Sequence, residues 1–579
     1  MRKIYALIVT GLLVTTAFAQ QPAYRWAFGF GGPGTGGQGD EFNSHFVVDA
    51  QGNMFVIGTY TGTTDFDPGP GTQNLTSNGD SDIFVAKYSK EGYLMWNFGI
   101  GGAGPDEGLG IALRNDLLYI TGYFSGTNVE FDPILGGHQL SSNGLKDIFI
   151  VKFDTTGFLI WANSIGATSN DISNAVAADD SGNVYITGSF CGSVDFDPGP
   201  GTANLLSGGS PSDAFVAKYD QNGNYKWAYD FGGGTTADVG TDVTTDDSGC
   251  VYFTGQFQGT NNDFDPGPGT AFLTSHGSYD AYVASFDSLG HYRWAFNIGG
   301  ALNDKGNGIA IDKAGDVLVT GRFSDANVDF DPGIPVVSLS TAGGNDIYFA
   351  KYSRDGVYNW ARRIGSASAD EGLDITSNPY NRWVVLTGLF TGSVDFDPSA
   401  GSTILSSYGS EDAFVASYDE YGAFKWAFQA GGQDADNGVC VVSHLDTDTL
   451  RVYWSGNFTG TADFDPTAAQ ALVTSNGGRD LFLAQYMDPF PVGIPEIART
   501  DGFTGVYPNP AKDHLQVDFK NNVKHGTVIV SDIRGRQVRS FSAEGKSALI
   551  DVSGVDAGLY NLVLYDESGV SHARFIVTK

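Results

Sequence analysis

Carboxylates dominate the side chains of this sequence that could do chemistry. The tetrapeptide Asp-Phe-Asp-Pro places aspartates at Asp65 and Asp67, Asp195 and Asp197, Asp263 and Asp265, Asp329 and Asp331, Asp395 and Asp397, and Asp463 and Asp465. It recurs once more as Glu130-Phe131-Asp132-Pro133. Residues i and i+2 of an extended segment project to the same side. Each motif therefore offers a two-carboxylate clamp which, with turn carbonyls, is the hard oxygen donor set that Ca2+ takes. A competing reading needs no ion: Asp closes tight turns by accepting backbone N–H groups, and no twelve-residue EF-hand loop is present. Ca2+ on these twelve aspartates is the one cofactor the pattern suggests.

Other chemistry is scarce. His45, His138, His276, His291 and His444 do not recur with any period, and there is no GxSxG, HExxH or GxxxxGK[ST] motif. No catalytic residue is assigned, and a non-enzymatic protein is expected. Glycoside cleavage needs only two carboxylates at a set separation, so a carbohydrate-active hydrolase or lyase is the alternative.

The carboxylates are positioned by a repeat. The motifs begin 65 to 68 residues apart, and seven of the nine tryptophans (Trp26, Trp96, Trp161, Trp227, Trp294, Trp360 and Trp426) occupy one position of the same unit. Within 106–164, four short apolar runs at 110–113, 118–124, 147–153 and 158–162 are separated by Gly-, Asp- and Asn-rich turns, which reads as four strands. Four strands repeated seven times are the signature of a β-propeller. The chain opens on a fourth strand and its last unit lacks one, so 24–30 should pair with 480–486 and close the ring. In an up-and-down blade the loops joining strands two and three, and strand four to the next blade, share a face. That face also receives Asp40, Asp106, Asp171, Asp238, Asp304, Asp370 and Asp436, and the strand-three acids Asp82, Asp147, Asp213, Asp280, Asp346, Asp412 and Asp480. Mutual repulsion among so many like charges favours a bound cation. Repeating Phe124, Phe190, Phe257, Phe323, Phe390 and Phe458 read as core between blades, whereas the non-repeating Trp383 and Trp454 are left as candidates for stacking on sugars.

Composition agrees. The 579 residues include 80 Gly and 21 Pro, only 17% are charged, and the formal net charge is −34 with a pI near 4.3. Charge-driven binding to nucleic acid is thereby excluded. Arg2 and Lys3, an apolar run and Ala17-Phe18-Ala19 form a secretory signal peptide over 1–19. No later run is long and apolar enough to span a bilayer. Cys191, Cys250 and Cys440 are too few for a disulfide framework, although a Cys191–Cys250 bridge stays open.

Segments such as Gly182-Asn183-Val184-Tyr185-Ile186-Thr187-Gly188 resemble the bacterial β-propeller repeat family named SBBP. That resemblance implies a propeller over 20–488 and no single activity. A Pro-rich linker, 489–502, leads to 503–579, where strand candidates at 514–519, 527–531, 537–541, 548–552, 558–565 and 573–577 suggest a small β-sandwich. This module resembles the C-terminal sorting domain of the type IX secretion system of Bacteroidota through Val506-Tyr507-Pro508-Asn509-Pro510-Ala511, Asp532-Ile533-Arg534-Gly535, Asp556-Ala557-Gly558-Leu559-Tyr560 and the terminal Phe575-Ile576-Val577-Thr578-Lys579. The resemblance implies that 503–579 engages the type IX secretion machinery, and that the protein is secreted to the medium or the outer-membrane surface of a Gram-negative bacterium. The expectation is an all-β, monomeric, seven-bladed propeller closed by its N-terminal strand and followed by a small sandwich. It would bind an extracellular glycan or protein through its acidic loop face.

Overall fold

The computed structural model describes residues 21–32, 41–208, 212–233, 236–446, 449–488, 503–532, 537–566 and 569–578. The signal peptide, the linker and Asp40 lie outside the described residues. Two compact units result, Met1–Pro491 and Val492–Lys579.

The first unit consists of four-stranded antiparallel sheets, seven among the described residues. Blade 2 shows the plan: Glu107–Arg114, Leu117–Phe124, Asp147–Asp154 and Leu159–Ile165 pair in chain order. Blade 1 spans 41–100, and blades 3 to 6 span 172–231, 239–298, 305–364 and 371–430. Blade 7 is composite. Its first three strands, Asn437–Asp446, Thr449–Asp463 and Leu472–Met487, are completed by Ala23–Phe30, with Tyr24 opposite Tyr486 and Phe30 opposite Leu481. The expected closure is therefore observed. Each first strand lies against the first strands of both neighbouring blades, and blade 7 returns to blade 1.

Apolar residues alternate through these strands so that every blade is covered on both faces, and each core cluster belongs to a pair of neighbours. Phe55, Ile83 and Phe98 of blade 1 pack with Leu118, Phe149 and Phe153 of blade 2, and the last cluster joins Tyr453 and Leu483 of blade 7 to Val56 and Tyr88 of blade 1. No blade owns a core, so none is expected to be stable alone. The repeated tryptophan reinforces this. The indole N–H groups of Trp26, Trp161, Trp294 and Trp360 donate to Lys90, Gln221, Arg354 and Glu420 carbonyls in the next blade, at 3.0–3.2 Å.

The second unit has five strands: Phe503–Tyr507, His514–Asp532, Gln537–Asp551, Gly558–Asp566 and Gly569–Val577. Four of the expected strands are the halves of two long ones, because 514–518 and 527–531 both pair with Gln537–Asp551 across irregular register. Val517, Val530, Ile550, Leu562 and Phe575 enclose its own core.

Candidate functional site

The Asp-Phe-Asp-Pro turn is built from its middle outward. The motif phenylalanines Phe66, Phe131, Phe196, Phe264, Phe330, Phe396 and Phe464 are fully buried. The strand-three hydroxyls of Tyr88, Tyr219, Tyr352, Tyr418 and Tyr486 donate to the carbonyls of five of them at 2.8–3.0 Å. Burying the ring fixes the two flanking acids. Oδ1 of Asp65, Asp195, Asp263, Asp329, Asp395 and Asp463 accepts the N–H two residues on at 3.1 Å. The same oxygen accepts the N–H eight residues on at 2.7–2.9 Å. Oδ1 of Asp67, Asp197, Asp265, Asp331, Asp397 and Asp465 closes the following turn at 2.8–2.9 Å. One oxygen of each of the twelve aspartates is thus engaged as a turn cap. Among the described residues no three His, Cys, Asp or Glu side chains gather closely enough to hold a metal ion. Burial works against ionisation of Asp395, but the N–H groups it accepts outweigh that and hold it below the usual carboxylate range.

Beneath this layer lie the other two sets of acids. Asp106, Asp171, Asp238, Asp304, Asp370 and Asp436 are buried. Each fastens the loop between blades to the end of a second strand: Asp106 accepts from Gly102 and Ser125 N–H at 2.6 and 2.8 Å, Asp171 from Ala167 and Cys191 at 2.8 and 3.0 Å. The strand-three acids Asp82, Asp147, Asp213, Asp280, Asp346, Asp412 and Asp480 are buried too. Asp147, for example, accepts the N–H of Asn143 at 2.8 Å. Loss of hydration raises the inner acids, to about 7 at Asp106, Asp238, Asp304 and Asp412 and to about 6 at Asp82, Asp147, Asp370 and Asp436. Sequence reasoning placed these residues on one face, but their depth depends on tertiary packing.

Between blades 4 and 5 this layered face opens into a groove of about 780 Å3. Leu273, Phe296 and Tyr358 supply apolar wall, and Asn297, Asp329 and Asp331 supply polar groups. His276 also lines it, at a repeat position that varies among the blades, with Asn78 and Asn143 in blades 1 and 2 and Ala342 and Tyr408 in blades 5 and 6. Its Nδ1 lies 2.8 Å from Oδ2 of the buried Asp280, which also accepts from Asn297 Nδ2 at 2.6 Å. The size is that of a small-ligand or short-polymer site.

The opposite face carries a further set of acids, not singled out from sequence. Asp154, Asp220, Asp287 and Asp419 close the turns between strands three and four, and Asp246 closes one between strands one and two. Here basic groups are close: Lys226 Nζ is 2.9 Å from Asp220, Lys425 Nζ 2.8 Å from Asp419, and Arg354 3.3 Å from Asp246. Burial raises Asp220, but Lys226, Asn224 and the turn N–H groups outweigh it and bring it to about 2. A cavity of about 790 Å3 on this face gathers Arg114, Lys313 and Arg354 with Asp246 and Asp247.

One sequence expectation is corrected and one question the sequence left open is answered. Trp454 cannot stack on a sugar: it is fully buried in the core shared by blades 6 and 7, and its indole N–H donates to Thr387 Oγ1 at 2.7 Å. Trp383 is half-buried, with Lys425 Nζ 5.0 Å from its ring centre. Cys191 and Cys250 form no bridge, and all three cysteines are free thiols. Cys191 ends a second strand on the layered face, whereas Cys250 sits in a turn on the other.

Comparison with known proteins fits this architecture. Residues 505–578 match the secretion system C-terminal sorting domain and 160–189 match the beta-propeller repeat. The chain therefore joins a β-propeller to a C-terminal sorting domain of the kind that directs type IX secretion in Bacteroidota. It is 24% identical over 447 residues to an uncharacterized WD repeat-containing protein, L264, of Acanthamoeba polyphaga mimivirus, covering 66% of this chain and 32% of that one. It is also 24% identical over 530 residues to the regulatory protein FlaEY of Caulobacter vibrioides, covering 81% and 53%. The chain thus spans about a third to a half of the length of these curated relatives. PorZ of Porphyromonas gingivalis, described as an essential surface component of the type IX secretion system, aligns over 93% of this chain and 91% of its own. The identity is 14% and the TM-score 0.16, values that transfer no property of PorZ to this chain.

Proposed function

We propose that this is a non-enzymatic binding protein displayed on, or released from, the bacterial surface, with its ligand docked on the layered loop face. The carrying observation is the groove between blades 4 and 5, where Asn297, Asp329, Asp331 and His276 border an apolar wall. Loops pinned at both ends by buried carboxyls form a preorganised surface, which lowers the ordering cost of binding. The lining favours a ligand rich in hydroxyl or amino donors and extended enough to lie along the groove, as an extracellular glycan or a basic peptide segment is.

The test is a panel of neutral and amino-sugar polysaccharides and basic peptides, scored on the secreted protein for binding and for product release. Binding without turnover, weakened at least about tenfold by Asp331→Asn with Asn297→Ala, is the expected result; the loss corresponds to about 1.4 kcal/mol. Product release would replace this reading with the hydrolase or lyase. Binding that the double variant leaves unchanged would remove the groove from the site.

A further inference from the structure

Six times around the ring, a strand-three acid meets the acid of the following inter-blade loop: Asp82 with Asp106, Asp147 with Asp171, Asp213 with Asp238, Asp280 with Asp304, Asp346 with Asp370, and Asp412 with Asp436. All twelve are buried. The approach is close enough for a glycine to be required between them. A Cβ on Gly299 would lie 2.5 Å from Asp280 Oδ1 and 2.8 Å from Asp304 Oδ2, and one on Gly232 would lie 3.0 Å from Asp213 Oδ1 and 2.5 Å from Asp238 Oδ2. The loop acid spends both oxygens on N–H groups, as Asp106 and Asp171 do. The strand-three acid uses Oδ2, and Oδ1 of Asp82, Asp147, Asp346 and Asp412 is buried with no hydrogen-bond donor. An ionised oxygen so placed is costly; a protonated one is neutral and gains a donor to offer beside the neighbouring acid.

We propose that each of these six blade junctions is a proton-binding site, in which the two carboxyls share one proton and its loss loosens the contact between blades. Every pair repels when both members are ionised, and the pair titrates as a unit. The surroundings differ among junctions. Tyr60 and Tyr123, the latter hydrogen-bonded to Glu107, flank the first pair, no further charged group faces the second among the described residues, and Asp230 and Tyr282 face the third. His276, Asp325 and Tyr348 face the fourth. Arg363 Nη1, 2.7 Å from Asp346 Oδ2, supplies the fifth with a cation, and Asp434 and Arg479 face the sixth. The second junction should therefore titrate most freely and the fifth least.

Acids raised above their unfolded value stabilise the ring fully below that value and cease to do so as pH rises through the folded one. Between the ordinary carboxylate value of 3.8 and folded values of about 6 to 7, the window runs from about pH 4 to 7. His45, lowered to about 4 by burial, and His444, also lowered by burial, oppose this within part of the window, but they are two groups against six junctions.

Calorimetry of the whole protein from pH 4 to 8 should show the propeller transition falling by several degrees up to about pH 7 and levelling off above it, with amide exchange at strands 147–154 and 172–178 speeding up in parallel. Asp147→Asn mimics the protonated acid, and it should raise the melting temperature at pH 8 and leave pH 4 nearly unchanged. Asp346→Asn, which breaks an Arg363 contact, should not. A propeller equally or more stable at pH 8, or an Asp147→Asn effect independent of pH, would overturn the proposal. A rise at pH 8 on adding millimolar Ca2+ that Asp147→Asn abolishes would also overturn it, in favour of a metal-bridged pair.

Discussion

Aspartate closes loops at both ends of every blade, yet it meets opposite surroundings at the two ends. On the groove side, Asp106 and Asp304 are buried beside another acid and raised to about 7. On the turn side, Asp220 accepts N–H groups at 2.9 and 3.1 Å of much the same kind, but it borders solvent and Lys226 and is lowered to about 2. Hydrogen bonding to backbone N–H groups alone does not decide the charge state. Depth and company do, because desolvation penalises the anion more than two N–H contacts repay it. One residue type thus gives the ring an inner layer of acids that hold protons until about pH 6 to 7 and an outer layer of carboxylates. The large negative charge is carried mainly by the latter at neutral pH.

Opening the ring should produce the largest effect, since the inner layer exists only while blades touch. Removing 21–31 strips Ala23–Phe30 from the blade 7 sheet and uncovers Leu481, Leu483 and Asp480. Cooperative calorimetric melting of the propeller should be lost. The turns at Asp154 and Asp220, closed by neighbours within four residues, need no distant strand. A truncated protein that melts like the full-length one would show that the enclosure of the inner acids does not depend on closure.

The seven-fold repeat, the closing strand and the acid-rich face could all be read from the positions of Trp26 and its repeats, the Asp-Phe-Asp-Pro motif and the missing fourth strand, because these are local patterns repeated many times. The role of the motif could only in part. Its aspartates have the spacing both of a turn cap and of a cation clamp, and what the sequence left out is that Phe66 and its six counterparts anchor the tetrapeptide in the core. The repeated strand-three tyrosine (Tyr88, Tyr219, Tyr352, Tyr418 and Tyr486) was an available signal, since a hydroxyl repeated in an apolar strand implies a buried acceptor. The groove left no trace in the sequence, because it lies between blades and its distinctive residue, His276, is one scattered histidine among eight.

A matched pair of substitutions comes next in size. Asp171→Ala orphans the part-buried N–H groups of Ala167 and Cys191, which at the lower part of the range of about 1–3 kcal/mol each for buried groups should cost about 2–4 kcal/mol. Asp220→Ala frees turn N–H groups that reach water, and should cost about 1 kcal/mol, as loss of an exposed cap does. A ring of this size unfolds with an entropy near 1 kcal/mol per kelvin at about 2 cal/mol/K per residue. Calorimetry should therefore show the first melting about 2–4 °C lower and the second about 1 °C lower. Equal shifts would mean that the two ends of the blade are alike after all.

The smallest effect concerns the two cysteines that sample the two environments. Cys191 N–H is held by the inner Asp171 at 3.0 Å and Cys250 N–H by the turn acid Asp246 at 2.9 Å. They stand at opposite ends of neighbouring blades, beyond the reach of a disulfide. Burial, with the carboxylate of Asp246 adding to it, raises the Cys250 thiol and outweighs the pull of Arg293 and Arg354. Reductant should leave the melting temperature unchanged, and a thiol reagent added after denaturation should count three free thiols. A count of one, or a melting temperature that drops on reduction, would mean that the two ends of the blades approach one another, and the contrast between an inner and an outer layer of acids would fall with it.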